Sequence, residues 1–204
     1  MSELLSTQEL EMGDVISEGW KVYKENFGLL LGATLVVVLI SCCSCGICMG
    51  PMTCGLFMMI DRLICKDVNK PVLGDLFKGF DVFAQSFLTW LVIAVVGALI
   101  SLALNFIPVV GNLASLILSF AIGPIMTWSF LLIVHQKMKG MEAVGFVLRE
   151  TFNGPFILPL LTVLVASLVG SLGIIACGVG IVFTLPIAYT ASAVAYRKLF
   201  STNA

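Results

Sequence analysis

Three long stretches without a charged side chain or histidine constrain the fold of this chain more than any other feature. They cover residues 26–60, 82–134 and 151–196. One helical membrane crossing needs about 20 apolar residues, so the second and third stretches each have room for two crossings. The first has room for two only if its helices are short or continue past Asp61. The pattern predicts an all-α membrane protein with six transmembrane helices, arranged as three hairpin repeats.

The composition indicates that lipid is the main solvent of this chain. Hydrophobic residues make up 59% of the 204 positions and charged residues 11%, against roughly 45–50% and about 25% in soluble domains. Charged side chains are therefore too few to cover a water-facing surface. The 11 Lys and Arg are balanced by 12 Asp and Glu and form no basic stripe, so we expect no nucleic-acid partner.

The positions of the basic residues predict the orientation in the membrane. The turns that divide the three stretches, at residues 45–51, 107–112 and 176–180, carry no charge, and every Lys and Arg lies at the opposite face. By the positive-inside rule that face is cytoplasmic. We therefore expect a multi-pass protein of the cytoplasmic (inner) membrane with cytoplasmic N and C termini. A re-entrant first hairpin is the alternative to a fully spanning one, and it leaves this topology unchanged.

The hairpins resemble one another along the sequence. Segments 18–27 and 78–87 align through Gly-aromatic and Val-aromatic pairs, and segment 148–156 is a weaker third copy. Each returning helix carries a proline that stands eleven residues before a basic or titratable side chain: Pro51 before Arg62, Pro124 before His135 and Pro186 before Arg197. This pattern predicts a duplicated unit, and chance similarity between short apolar segments is the alternative.

These boundaries define the predicted domain organisation. Residues 1–12 form an N-terminal tail, and residues 13–204 form a single transmembrane domain. The repeat units run over approximately 13–66, 74–137 and 141–199. Because each unit crosses twice, the copies share one orientation about an axis along the membrane normal.

The segment before each hairpin has the periodicity of an amphipathic helix. We predict three such cytoplasmic helices, which lie in the membrane interface with their aromatic side chains at headgroup depth. The predicted interfacial anchors are Trp20, Tyr23, Phe27, Phe80, Phe83 and Phe87. Anchoring of the transmembrane helix ends is the interpretation that we favour for these segments.

Six of the seven cysteines lie toward the predicted outer ends of helices. Cys45 and Cys48 have a Cys-x-x-Cys spacing, which makes them a candidate outer-side thiol pair. No His, Asp or Glu lies near them, so we expect no metal site. Packing of small apolar side chains is the interpretation that we favour, and an outer-side disulfide is the alternative.

Three side chains at the ends of the returning helices form a second candidate site. Arg62, His135 and Arg197 are positioned to make a cytoplasmic ring that contacts lipid headgroups or an anionic solute. These residues also stand where any inward helix ends. A plain topogenic flank is therefore the interpretation that we favour.

The sequence contains no catalytic constellation. Gly-x-Ser-x-Gly, His-Glu-x-x-His and the phosphate-binding Walker loop do not occur. The three apolar stretches also lack the intramembrane ionisable residues on which ion-coupled carriers depend. We therefore expect a protein that is not an enzyme and that uses no cofactor.

The chain resembles a broad group of uncharacterised prokaryotic six-helix integral membrane proteins. The motifs that carry this resemblance are the Gly-aromatic interfacial segments, the Gly-Pro returns at 50–51 and 123–124, and the cytoplasmic run from Gly74 to Phe80. The resemblance covers about residues 13–200 and implies a prokaryotic cytoplasmic membrane location, without site residues. Mitochondrial carriers also have three two-helix repeats, but their Pro-x-acidic-x-x-basic signature does not follow the three prolines.

Together these patterns predict a non-enzymatic scaffold or accessory subunit of a membrane complex. We expect it to contact membrane lipid and either a partner membrane protein or further copies of itself. The alternative is a small passive permease or lipid-handling protein that uses a seam of Ser and Thr between the hairpins. A third hypothesis is an outer-facing thiol redox enzyme that depends on Cys45 and Cys48.

Overall fold

The computed structural model describes residues 12–67, 70–106, 110–152 and 179–200, and within these ranges the chain is helical without a strand. A 3-10 helix, Leu73–Val82, leads directly into the fourth α-helix. The α-helices are α1 Met12–Glu25, α2 Phe27–Cys43, α3 Met49–Ile64, α4 Phe83–Leu104, α5 Val110–Gln136, α6 Gly140–Phe152 and α7 Val179–Phe200. The predicted all-α class is confirmed.

One helix in the described ranges is long and apolar enough to cross a membrane. It is formed by the 3-10 helix and α4 together, Leu73–Leu104. The pair Gly13–Glu25 and Phe27–Cys43 meets the same criterion only in combination, and its two halves are bent by 92°. Ala121–Gln136 is apolar but shorter. The six-helix repeat therefore stays a prediction.

Parts of the predicted organisation lie outside the described residues. They include residues 1–11 of the predicted tail, residues 153–178 with the outward helix of the third hairpin, and Cys177. The segments before the first two hairpins are helical as predicted, since α1 precedes α2 and the 3-10 helix precedes α4. Helix α6 occupies the corresponding segment before the third.

Helix α3 lies at the centre of the packing. Every residue from Gly50 to Ile60 is buried except Met58. The 3-10 helix packs against α3 backbone to backbone, because a Cβ atom at Gly55 would overlap the carbonyl oxygen of Leu76. A Cβ atom at Gly79 would in turn overlap the carbonyl oxygen of Pro51. Only glycine permits an approach this close.

The first hairpin, formed by α2 and α3, lies beside only the first part of α4. A Cβ atom at Gly50 would stand 2.6 Å from the carbonyl oxygen of Ser86, and one at Gly46, in the turn of the hairpin, 3.0 Å from the Trp90 ring. Helix α4 continues from Trp90 to Leu104, which is about 20 Å at 1.5 Å per residue. The hairpin of α2 and α3 therefore ends far short of the end of α4.

Helix α1 packs across α7 and leaves one face open. Val15, Gly19 and Tyr23 form the buried face, and a Cβ atom at Gly19 would stand 2.9 Å from the backbone of Ala191. On its exposed side α1 presents the apolar side chains of Ile16 and Trp20, and Phe27 is exposed at the start of α2.

Candidate functional site

The ends of α3, α5 and α7 meet at the carboxylate of Asp61. His135 Nε2 lies 3.3 Å and Arg197 Nη1 3.2 Å from the same oxygen, Asp61 Oδ1. His135 Nδ1 also lies 3.0 Å from the carbonyl oxygen of Leu131. The His135 ring thus lies between the Leu131 carbonyl and the Asp61 carboxylate. One carboxylate thus joins three helices whose residues are far apart in the sequence.

The surroundings of Asp61 favour its charged form. Burial by itself raises the pKa of this carboxyl, but the hydrogen bond from His135 and the charges of His135 and Arg197 outweigh it. The pKa of Asp61 therefore lies below its ordinary value. The cluster therefore favours the Asp61 carboxylate over the neutral acid, and this charge compensates the guanidinium of Arg197.

Arg62, the neighbour of Asp61, belongs to a second group of ion pairs. Its Nη1 lies 2.8 Å from Asp75 Oδ2, and its Nε lies 3.2 Å from Asp67 Oδ2. Asp75 also accepts a hydrogen bond from the backbone N–H of Val72 and pairs with Lys78 at 2.7 Å. These contacts tie the end of α3 to the beginning of the 3-10 helix.

An aromatic wall from α7 covers one side of the Asp61 cluster. The ring of Tyr196 lies 4.5 Å from that of His135 and 4.7 Å from that of Phe200. Trp128, which is fully buried, lies 6.0 Å from Tyr196 on the inner side. The aromatic wall thus contacts the cluster through the His135 ring.

The structure brings the three predicted ring residues to one end of the protein but divides them between two groups. His135 and Arg197 share Asp61, whereas Arg62 points to Asp67 and Asp75. Sequence reasoning missed Asp61 as their partner. It also missed Cys65, whose sulfur contacts Arg197 Nη1. The available signal was an acid at the same helix end as three titratable side chains.

A cleft of about 290 Å³ lies beside these ion pairs, between the bend that joins α1 to α2 and the loop after α3. Two acids and three bases line it, together with Asn26, Leu63 and Pro71. The charged residues are Glu25, Asp67, Arg62, Lys66 and Lys70. No sequence pattern predicted this cleft, because its walls come together only through the bend at Asn26.

The candidate thiol pair lies in the turn between α2 and α3. Cys45 is exposed, with a φ of 51°. Cys48 is half-buried, and its backbone N–H donates a hydrogen bond to Ser44 Oγ at 3.1 Å.

All six described cysteines are free thiols, and among them only Cys54 is buried. Packing therefore accounts for Cys54 but not for the exposed thiols. Within the described ranges no three His, Cys, Asp or Glu side chains are grouped as metal ligands.

The predicted interfacial anchors fall into two environments. Tyr23 is buried, whereas Trp20 on α1 and Phe27 at the start of α2 are exposed. Five rings along the 3-10 helix and the start of α4 form an aromatic ladder of successive stacked pairs, with centroids 5.6 to 6.3 Å apart: Phe77, Phe80, Phe83, Phe87 and Trp90. The 3-10 geometry explains its first rungs, because side chains at i and i+3 eclipse when a turn holds three residues.

No protein-family model, curated protein or solved structure matches this chain. The resemblance to prokaryotic six-helix membrane proteins therefore stays a prediction.

Proposed function

We propose that this chain is a non-enzymatic integral protein of the cytoplasmic (inner) membrane that serves as a scaffold or accessory subunit of a membrane complex. The exposed apolar surface of α4 carries this proposal. A soluble protein rarely exposes so long a contiguous apolar surface, and lipid or a partner helix would cover it. Its exposed side chains are Leu88, Leu91, Val95, Val96, Leu99, Ile100 and Leu102, and Phe106 is exposed just after the end of the helix.

The proposed arrangement keeps three hairpin repeats and cytoplasmic termini, with the first hairpin re-entrant. The contact of Gly46 with Trp90 supports the re-entrant form, because α4 extends about 20 Å past this level. The ion pairs of Asp61, Arg62 and Arg197 gather at one end of the helices, as expected for a cytoplasmic face. The aromatic ladder then begins at headgroup depth.

Four buried hydroxyl groups favour this proposal over a passive permease. Buried Thr34, Ser129, Thr190 and Ser192 each donate to the carbonyl oxygen four residues earlier in their own helix, at 2.7 to 2.9 Å. A hydroxyl used in this way has no free hydrogen for a solute. These side chains support close helix packing rather than a polar pathway.

The first experiment tests membrane integration and partnership. The full chain, expressed in bacteria, is expected to stay in the membrane pellet after alkaline carbonate washing. In mild detergent, light scattering is expected to show a homo-oligomer or a complex with another membrane protein. Recovery in the soluble fraction overturns the membrane assignment, and a lone monomer after gentle extraction and in-cell crosslinking overturns the scaffold.

Cysteine labelling tests the topology. Cys54 is buried and stays in place, while the other cysteines become serine except Cys43 or Cys65. A membrane-impermeant maleimide is expected to label Cys65 only in inside-out vesicles and Cys43 from neither side. Outside labelling of Cys43 shows a fully spanning first hairpin, and outside labelling of Cys65 reverses the orientation. Labelling after denaturation is the control for thiol integrity.

A further inference from the structure

The cleft beside Arg62 contains two lysines that take no part in the ion pairs of Arg62. Arg62 is held by Asp75 and Asp67 at 2.8 and 3.2 Å. Lys66 and Lys70 are exposed at the cleft, and within the described ranges no ion pair joins either of them to a carboxylate. Two ammonium groups are therefore available to an anion that enters the cleft.

Backbone hydrogen bonds hold Lys66 in place at the end of α3. Lys66 has a φ of 51°, and this left-handed residue turns the chain out of α3. The N–H of Lys66 donates to the Leu63 carbonyl at 3.2 Å, and the N–H of Asp67 donates to the Arg62 carbonyl at 3.2 Å. Lys70 is followed by Pro71, which is buried. The backbone of Lys66 is thus positioned before a ligand arrives, which reduces the entropic cost of binding.

The bend between α1 and α2 places the cleft at the depth of lipid headgroups under the proposed membrane location. If α2 enters the membrane, the 92° bend directs α1 along the membrane surface. The exposed face of α1 carries Trp20, and Lys24 Nζ lies 5.2 Å above its ring. Aromatic and basic side chains together are typical of the interface. Glu25 ends α1 and Asn26 follows it in the bend. Both form a wall of the cleft at this depth.

We propose that this cleft binds a phosphate-bearing anion through Lys66 and Lys70, with a phospholipid headgroup as its source in the cell. Lysine binds phosphate as a compact point charge, and basic pockets on the cytoplasmic side of membrane proteins bind lipid headgroups. A volume of about 290 Å³ accommodates a glycerophosphate group, whereas larger ligands occupy pockets of up to about 1,000 Å³. Only the lipid source rests on the proposed function, since phosphate chemistry alone defines the site.

Calorimetric titration of the full chain in mild nonionic detergent tests the site. The probes are dihexanoyl phosphatidic acid, glycerol 3-phosphate and inorganic phosphate. Because both ammonium groups that contact the phosphate are removed, K66Q/K70Q is expected to weaken phosphatidic acid binding about 30-fold. Absence of binding by the wild type to all three probes overturns the proposal, and so does unchanged affinity of K66Q/K70Q.

The matched control is K137Q/K139Q. Lys137 and Lys139 are also exposed in a short loop after a helix, and Lys137 has the same φ of 51° as Lys66. This control is expected to bind phosphatidic acid like the wild type. An equal loss in both double variants indicates unspecific attraction and overturns the site.

Thermal unfolding checks that K66Q/K70Q is folded, and because both lysines are exposed we expect no change. Tighter binding of phosphatidic acid than of inorganic phosphate supports the lipid source, whereas equal binding shows that free phosphate suffices. These measurements need no membrane or partner. Their failure is therefore distinguishable from failure of the carbonate and labelling experiments.

Discussion

Helices α3 and α4 are both apolar, yet the protein surrounds one and leaves the other open. In α3, ten residues between Gly50 and Ile60 are buried. The buried residues of the longer α4 are Ser86, Thr89, Ile93 and Gly97. Those four recur at helical spacing and form a single stripe. Helix α3 is thus a core element, and α4 is an edge element with one protein-facing side.

Small residues, rather than hydropathy, distinguish the two helices. The glycines of α3 meet neighbouring backbone, since a Cβ atom at Gly50 or Gly55 would overlap Ser86 or Leu76 main-chain atoms. On α4, a Cβ atom at Gly97 would meet only the end of the Ile122 side chain, at 2.7 Å. Backbone contact requires glycine, whereas a side chain can move. The kind of atom that a glycine faces therefore shows which helix is central.

Gly55→Ala, in the buried helix α3, is expected to have the largest effect on stability. The added methyl group would overlap the Leu76 carbonyl, so α3 and the 3-10 helix must separate. We expect a loss of roughly 3 kcal/mol or more in the free energy of unfolding, measured by denaturant titration in detergent. Gly28→Ala is the control, because no atom lies within 4 Å of a Cβ there. Equal stability of the two variants would contradict the close packing.

Two leucines test the difference between the helices directly. Leu56 in α3 is fully buried, and Leu99 in α4 is 61% exposed. Leu56→Ala leaves a cavity, so we expect it to lower the free energy of unfolding by at least about 2 kcal/mol. Leu99→Ala exchanges one lipid contact for another, so we expect a loss of less than about 0.5 kcal/mol. The same titration measures both. A large loss for Leu99→Ala would show that a partner copy covers α4.

Asp61→Asn tests the ionic end of α3. His135 and Arg197 lose their shared carboxylate, and because Asp61 is about one quarter exposed we expect a loss of about 1–2 kcal/mol. Asp67→Asn, at a half-exposed carboxylate, is the control and is expected to cost less than about 0.5 kcal/mol. Thermal unfolding in one detergent compares them, and equal losses would contradict a special role for Asp61.

The lowered pKa of Asp61 adds a pH dependence to this test. A carboxyl whose folded pKa is depressed contributes stability above its unfolded pKa and loses it as the pH falls through the folded value. The wild type should therefore be more stable to unfolding than Asp61→Asn at neutral pH, and this difference in stability should disappear in acid. A difference that persists below the folded pKa of Asp61 would contradict the ion-pair account.

The all-helical class followed from the sequence because uncharged stretches and helical periodicity are local signals. The same signals placed Arg62, His135 and Arg197 at one end of their helices. They did not reveal that Asp61 joins two of them, because that contact links α3 to α5 and α7 across more than 70 residues. The 3-10 form of Leu73–Val82 was not predictable either. It depends on the close packing of Gly79 against the backbone of α3.

Phe83→Leu is expected to have the smallest effect and to show what the open side of α4 contributes. Phe83 stacks between Phe80 and Phe87 at 6.0 and 5.6 Å, and an aromatic pair adds about 0.5–1.5 kcal/mol beyond its buried area. Since the ladder is partly exposed, we expect a loss of about 0.5–1 kcal/mol in unfolding free energy. Phe106→Leu, at an 83% exposed ring outside the ladder, should cost nothing measurable. If both variants lose equally, the rings act as independent membrane contacts and α4 has no ordered aromatic edge.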